Sequence, residues 1–400
     1  MADKLSLPHR IWRLLPADAR RAGLQLVASK MAQKADAVPP ETSRGVVVGG
    51  EFGQATGLGE AARILQAACG HLGLARGIYQ MSVGGKGDAA PVDPKAALLL
   101  TVNAPTLPLM LARAPAGLLR NRRIIGAWAW ELPVMPESWR VGGSYVHEIW
   151  ACSRFTGDAL ETMFPGRVRV VPYPVAMLNR PSLPLSRDDF SLPEDVVITT
   201  LVFGLGSSFT RKNPLGGIAA FKQAFGERAD QLLVVKLSGQ EAFPAEAAAI
   251  RAKAGDARNI MVFEGSWAPA RVDALIGLSD IVLSLHRSEG FGLVPAQAML
   301  KGVPVVATGW SGNMQFMDEA SAALVGYELI EVKDPSGVYG HIPGAKWAAP
   351  DLGHAAEQLR RLGDDAAARL ALGAAGERRA RAVLMGAELR EALAANGITA

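Results

Sequence analysis

Residues 284–309 read SLHRSEGFGLVPAQAMLKGVPVVATG. An apolar run over residues 281–285 ends in a polar turn, where Glu289 stands directly before Gly290, Phe291 and Gly292. The two glycines admit positive φ and let another backbone come close. Residues 294–300 are compatible with a helix, whose first N–H groups lack intrahelical partners and favour an anion. Residues 303–308 read as a second buried strand. Strand, turn, helix and strand in this order form the repeating unit of a parallel α/β sheet, which binds ligands beyond the carboxyl ends of its strands.

The rest of the chain repeats this unit. Short buried strands are expected at VVVGG, ALLLTVN, RIIGAWAW, HEIWACS and RVRVVPYP in the first half, and at VVITTLVFGLG, QLLVVKLSG, IVLSLH and VPVVATG in the second. GEAARILQAACGHL sets Ile64, Leu65, Ala68 and Leu72 on one helical face. A further helix is expected to begin near Pro214, another at PARVDALIGLS, and one or two surface helices in the Ala- and Arg-rich last third. Residues 179–195 are rich in Pro, Ser and charge without periodicity and read as a linker. The expected organisation is a basic arm (1–40), a first α/β domain (41–178), the linker (179–195), a second α/β domain (196–375) and C-terminal helices (376–400).

Bulk properties agree with a two-domain globular protein. A chain of 400 residues exceeds one ordinary core, and 49% hydrophobic with 20% charged residues is the normal balance. A net charge of +4 does not point to nucleic acid. Cys69 and Cys152 lie too far apart for a metal motif and suit a reducing compartment. The first residues carry no continuous apolar region of the signal-peptide kind. The apolar stretch 96–119 is interrupted by Asn103, Arg113 and prolines and does not read as a membrane span. A cytoplasmic location follows. The arm interleaves Arg10, Arg13, Lys30 and Lys34 with Ile11, Trp12, Leu24 and Val27. Two readings fit it: a helix packed on the domain with a solvated basic face, or an arm lying on an anionic membrane at the inner face of the cytoplasmic membrane.

EGFGLVPAQAMLKGVPVVA (289–307) resembles the signature of the retaining glycosyltransferases of family 4, which have the GT-B fold of two Rossmann-like, doubly wound parallel-sheet domains facing an interdomain cleft. The resemblance covers most of residues 44–351 and includes WAWELP, ACSRF, RKNP, SLHRSEGFG, SGN and WAAPD. It implies that Glu289 contacts the transferred sugar and that the backbone of Gly290, Phe291, Gly292 and Leu293 lies by the donor. The family's second acid, which holds the ribose hydroxyls, is Gln297 here. An amide still accepts a hydrogen bond but without charge assistance. Gly57 and Gly59 match the glycine-rich loop of the first domain. Arg211 and Lys212 match the basic residues set against the donor diphosphate, although the Arg that family members carry six residues before the Lys is Gly206 here. Ser311, Gly312 and Asn313 match the loop that closes over the donor.

Many members place a His at the end of a first-domain strand where this chain has WAWELP, so Glu131 or the tryptophans occupy that space. The tryptophans read either as core or as faces for sugar rings. His286 is placed among the candidate site residues, whereas His147 reads as a structural histidine. The implied reaction moves a sugar from a nucleotide-diphosphate donor to a hydroxyl acceptor, lipid-linked or saccharide, in bacterial surface polysaccharide or lipopolysaccharide synthesis. No cofactor and no metal are expected, because no Asp-x-Asp occurs at a strand end and cationic side chains take over that electrostatic work. An epimerase of the same fold and a non-catalytic carbohydrate-binding member are the alternatives.

Overall fold

The computed structural model describes residues 17–82, 92–178, 183–339 and 342–400. Residues 1–16 of the arm and 179–182 of the linker lie outside them. The first domain is a six-stranded sheet of β1 (Val46–Gly50), β2 (Ala75–Gln80), β3 (Ala97–Leu100), β4 (Ile124–Trp128), β5 (Glu148–Ala151) and β6 (Val168–Val170). The second is a six-stranded sheet of β7 (Val197–Gly204), β8 (Gln231–Ser238), β9 (Ile260–Phe263), β10 (Ile281–Ser284), β11 (Val305–Thr308) and β12 (Ala323–Val325). Every pairing in both sheets is parallel. The strand orders are β2-β1-β3-β4-β5-β6 and β9-β8-β7-β10-β11-β12.

The uniform burial of β1, β3, β4 and β11 explains their composition. A strand covered by helices on both faces has no polar side to alternate with, so it reads as a continuous apolar run. The elements not foreseen include the edge strands β2, β9 and β12, the helices Arg154–Glu161 and Pro244–Ala254, and an antiparallel hairpin of β13 (Tyr327–Glu331) and β14 (Lys346–Pro350).

The two domains share one core. Phe291 of the second domain sits between Tyr173 of the first, ring centroids 5.1 Å apart, and Phe316 at 5.0 Å. The same apolar cluster takes in Leu384 and Leu389 of the C-terminal helices. The chain end returns to the first domain, where Ser43 and Arg44 pair with Ile398 and Thr399. The segment between β13 and β14 also crosses over, placing Tyr339 and Ile342, with Trp347 of β14, in the first domain's core beside Trp130 and Trp139.

Two boundaries need correction. The break at 375 falls inside the helix Ala366–Leu384. The second half of the linker is anchored: Phe190 and Leu192 are buried against Ile198 and Leu232. Arg187 pairs with Asp280 at 2.9 Å and donates to the Glu194 and Val196 carbonyls. In the arm, helix Ala17–Met31 packs against Leu107–Leu111, with Ala28 and Ala32 buried, and Leu24, Val27 and Met31 face outward, 50%, 57% and 66% exposed. No helix among the described residues is long and apolar enough to cross a membrane.

Candidate active site

In the second sheet the strand order reverses between β7 and β10, the position at which open α/β sheets form a crevice beyond their carboxyl ends. The chain leaving β7 carries Arg211 and Lys212 on the short helix Phe209–Lys212, and the chain leaving β10 carries Glu289. The topology therefore brings Glu289 to two adjacent cations, of which Lys212 precedes it by 77 residues.

Arg211 is 3% exposed and Glu289 7%. The Arg211 guanidinium lies 3.2 Å from Glu289 Oε2 and 4.0 Å from Glu131 Oε1. It donates to the Ser288 carbonyl at 2.8 Å and the Ser207 carbonyl at 2.9 Å. Lys212 Nζ donates to Glu289 Oε1. Burial alone would raise the Glu289 carboxyl, but the charges of Lys212 and Arg211 overcome it and lower it to about 2. Gly292, at φ +96°, caps the helix Leu293–Leu300, and its first residues line a narrow pocket with Lys212, Glu289 and Ser284. One cation, one carboxylate and a helix N-terminus thus face the same space.

Glu131 reaches the cluster from the first domain, at the carboxyl end of β4. Its Oε2 accepts from Tyr339 Oη at 3.0 Å, and its carbonyl accepts from Ser288 Oγ. The Tyr339 ring lies against Trp130 at 5.5 Å and beneath the Arg211 guanidinium at 5.9 Å. Sequence reasoning missed Tyr339: it lies in an aperiodic Gly/Pro-rich stretch, 208 residues from its carboxylate partner.

The remaining candidates divide. The Gly312 N–H donates to the Glu289 carbonyl at 2.8 Å, and a Cβ there would lie 2.1 Å from the Gly290 oxygen, so glycine is required by close approach. Ser311 Oγ accepts from the Glu289 N–H at 2.8 Å. The Asn313 side chain turns inward instead, donating to the Thr308 carbonyl at 3.0 Å. Its Oδ1 lies 3.0 Å from His286 Nε2, and His286 Nδ1 lies 3.0 Å from Ser284 Oγ. Both side chains are fully buried; they brace the Ser311 loop and have no face toward a ligand. Burial holds the His286 imidazole below its ordinary range, hence neutral. The Phe291 ring is interdomain core, which leaves only its backbone for a donor. Gln297 is half-buried on the second turn of Leu293–Leu300.

Gly57 and Gly59 open the helix Gly57–His71, capped by Thr56, which accepts from the Gly59 N–H at 3.2 Å. Gly57 is exposed with open space around it, whereas a Cβ at Gly59 would lie 2.4 Å from the Gln54 carbonyl. Both stand at the carboxyl end of β1, two strands from Glu131 in the same sheet. Trp128 and Trp150 are core residues, 0% and 2% exposed. His147 bridges the Ile124 N–H at 2.9 Å and the Asp36 carbonyl at 2.9 Å, a structural role.

Two facing parallel α/β domains, with paired cations and an acid at the switch point of the second, make a GT-B architecture. The sequence matches the family described as Family 4 Glycosyltransferase in conflict systems over residues 157–392. The chain belongs to that family and is a glycosyltransferase. No curated protein matches it in sequence. Among solved structures it is similar to Anabaena HepE in complex with UDP and glucose (TM-score 0.61, 12% identity, 88% of this chain and 100% of that one). It is also similar to WaaG, a glycosyltransferase involved in lipopolysaccharide biosynthesis (TM-score 0.56, 14% identity, 88% and 99%). S. aureus TarM in complex with Fondaparinux, alpha-GlcNAc-glycerol and UDP superposes with a TM-score of 0.53 at 11% identity over 76% of this chain. The chain spans 56% of TarM. These likenesses show the GT-B fold.

A carboxyl at about 2 in the folded protein and 4.5 ordinarily contributes stability above about pH 4.5, and that contribution is lost as pH falls through about 2. The melting temperature of the wild type is therefore expected to fall more steeply than that of Glu289→Gln between these two values. Differential scanning fluorimetry across that window measures it; parallel curves would contradict the buried ion pairs.

Proposed function

We propose that the chain transfers a sugar, with retention of anomeric configuration, from a nucleotide-diphosphate sugar to a hydroxyl acceptor. The observation that carries this reading is the convergence of Lys212 and the Leu293–Leu300 helix N-terminus on one pocket at Glu289, with Arg211 paired to the same carboxylate from the buried side. The two cations take the charge that develops on the leaving diphosphate as the bond from C1 to the phosphate oxygen breaks. Arg211 supplies a planar fork and Lys212 a point charge. The acceptor oxygen forms its bond to C1 on the same face, and its proton passes to the departing phosphate oxygen. This route calls for no histidine, and His286 is buried and fully partnered. Glu289 receives sugar hydroxyls once the diphosphate competes for its cations. The cation pair and the helix terminus would do the work of a divalent ion, so turnover is expected to need no added metal.

On this reading Glu289→Gln lowers kcat by roughly 10²–10³-fold, the scale of losing one preorganised electrostatic group. Lys212→Ala raises the donor KM by roughly tenfold or more, the value of a hydrogen bond to a charged group. Proton NMR of the first-formed product reports the anomer; an inverted product, or wild-type kinetics in both variants, would refute the assignment.

Gln297 stands where family members place the ribose-binding acid. Restoring the charge with Gln297→Glu is expected to lower the donor KM by about tenfold through a charge-assisted hydrogen bond. Isothermal titration with nucleotide diphosphates measures this, and unchanged affinity would remove Gln297 from the nucleotide site.

The acceptor we infer is a saccharide or a lipid-linked saccharide at the inner face of the cytoplasmic membrane. The support is the outward face of helix Ala17–Met31, where Leu24, Val27 and Met31 fall on one side near Lys30 and Lys34. Vesicles containing anionic lipid should co-sediment the wild type, and the triple change Leu24→Ser, Val27→Ser, Met31→Ser should abolish this without altering turnover on a soluble acceptor.

A further inference from the structure

Glu131 and Glu289 come from different domains, yet both carboxylates meet Arg211. A single helix turn of the first domain holds the peptide beside each of them. Helix Arg154–Glu161 is capped by Ser153, whose Oγ accepts from the Thr156 N–H at 3.2 Å. Both hydroxyls are fully buried. Ser153 Oγ donates across the domain boundary to the Gly290 carbonyl at 2.6 Å. Thr156 Oγ1 lies 2.8 Å from the Trp130 carbonyl and 3.3 Å from that of Gly290, so its one hydrogen goes to Trp130. The second lone pair of the Gly290 oxygen is taken by Cys152 Sγ at 3.3 Å. Burial pushes the Cys152 thiol up to about 12, which keeps it protonated and able to donate.

Gly290 follows Glu289, and Trp130 precedes Glu131. A Cβ at Gly290 would lie 3.1 Å from the Trp130 oxygen, so the two held carbonyls are neighbours. The second domain grips the same turn from behind, through Ser311 Oγ on the Glu289 N–H and the Gly312 N–H on the Glu289 carbonyl. The Glu289 turn is therefore held from both domains at once, with the Gly290 carbonyl supplying the first-domain attachment.

We propose that Ser153 and Thr156 are positioning residues for the transfer reaction: from one helix turn of the first domain they hold the peptides beside Glu289 and Glu131, and so fix the two carboxylates relative to each other across the domain boundary. This rests on the glycosyltransferase reading of the site. Neither residue touches a reacting atom; each acts through the peptide beside an acid.

Thr156→Val removes one hydroxyl at nearly constant volume and leaves the helix cap intact. It should lower kcat by about tenfold with donor KM within about twofold, since small misplacement of a catalytic group acts on turnover. Thr156→Ser, which keeps the hydroxyl, should restore kcat. Ser153→Ala should lower kcat similarly. Hydrogen exchange separates positioning from folding: Ser153→Ala should speed exchange in residues 287–293, and Thr156→Val in residues 129–133. Exchange changes confined to the capped helix 154–161, or kcat within twofold of wild type in both variants, would overturn the proposal. A wild type that turns over no sugar donor would defeat the transferase reading, while the exchange pattern still decides this one.

Discussion

The structure is organised around a charge problem. Arg211 is almost wholly buried, and a buried guanidinium left without a counter-charge costs several kcal/mol. Glu289 answers it from the end of β10 and is shared with Lys212, while Glu131 and Tyr339 approach from the other side. Two cations meet two acids, so the cluster is close to neutral. On the proposed reading a diphosphate competes with the carboxylates for the same cations, and each carboxylate it displaces becomes available to sugar hydroxyls. The ion pairs and the chemistry thus use the same groups.

The fold explains why these groups meet. Each sheet directs its strand ends toward the other domain, and in the second sheet β7 and β10 are adjacent because the strand order reverses there. Their outgoing loops have nowhere to go but into a common crevice. The first domain contributes the end of β4, and the β13–β14 insertion crosses over to place Tyr339 on both Glu131 and Arg211. The core shared through Tyr173, Phe291 and Phe316 ties the domains behind the site, so polar contacts at its front form against a packed support.

Most of the sheet framework was legible because buried parallel strands are continuous apolar runs. The edge strands β2, β9 and β12 were not, although the edge strand β6 was. β2 alternates weakly and contains Gly77 at φ +118°, and β9 is four residues long and half-exposed. The strand β13 is exposed along its whole length and carries no burial pattern to read. The Glu289 turn was legible for a different reason: its strand, turn, helix and return strand are contiguous, so local spacing carries the geometry. Tyr339 and Ser153 act across more than a hundred residues and Thr156 across 26, and nothing in their local sequence distinguishes a hydroxyl aimed at a distant partner from an ordinary cap. The same blindness works in reverse at Asn313 and His286. Their positions in the motif suggested ligand contacts, yet their side chains satisfy one another inside the protein.

Backbone strain marks the same region. Ser208, Asn213 and Ser311 adopt φ of +63°, +51° and +80°, a conformation that glycine would adopt without penalty and that costs other residues of order 1–3 kcal/mol. All three flank the ion-paired cluster, and each keeps a side chain because that side chain is bonded. Ser208 Oγ accepts from the Arg211 N–H at 3.3 Å and donates to Asp334 at 3.2 Å. Asn213 Nδ2 donates to the Leu285 carbonyl at 2.9 Å, joining the end of the basic turn to the end of β10. Ser311 Oγ holds the Glu289 amide. Glycine would relieve the strain and release these three tethers together. The arrangement is stable only because the bonded side chains outweigh the backbone they distort, and so the turns bearing Arg211, Lys212 and Glu289 are fixed to one another rather than to their own strands alone.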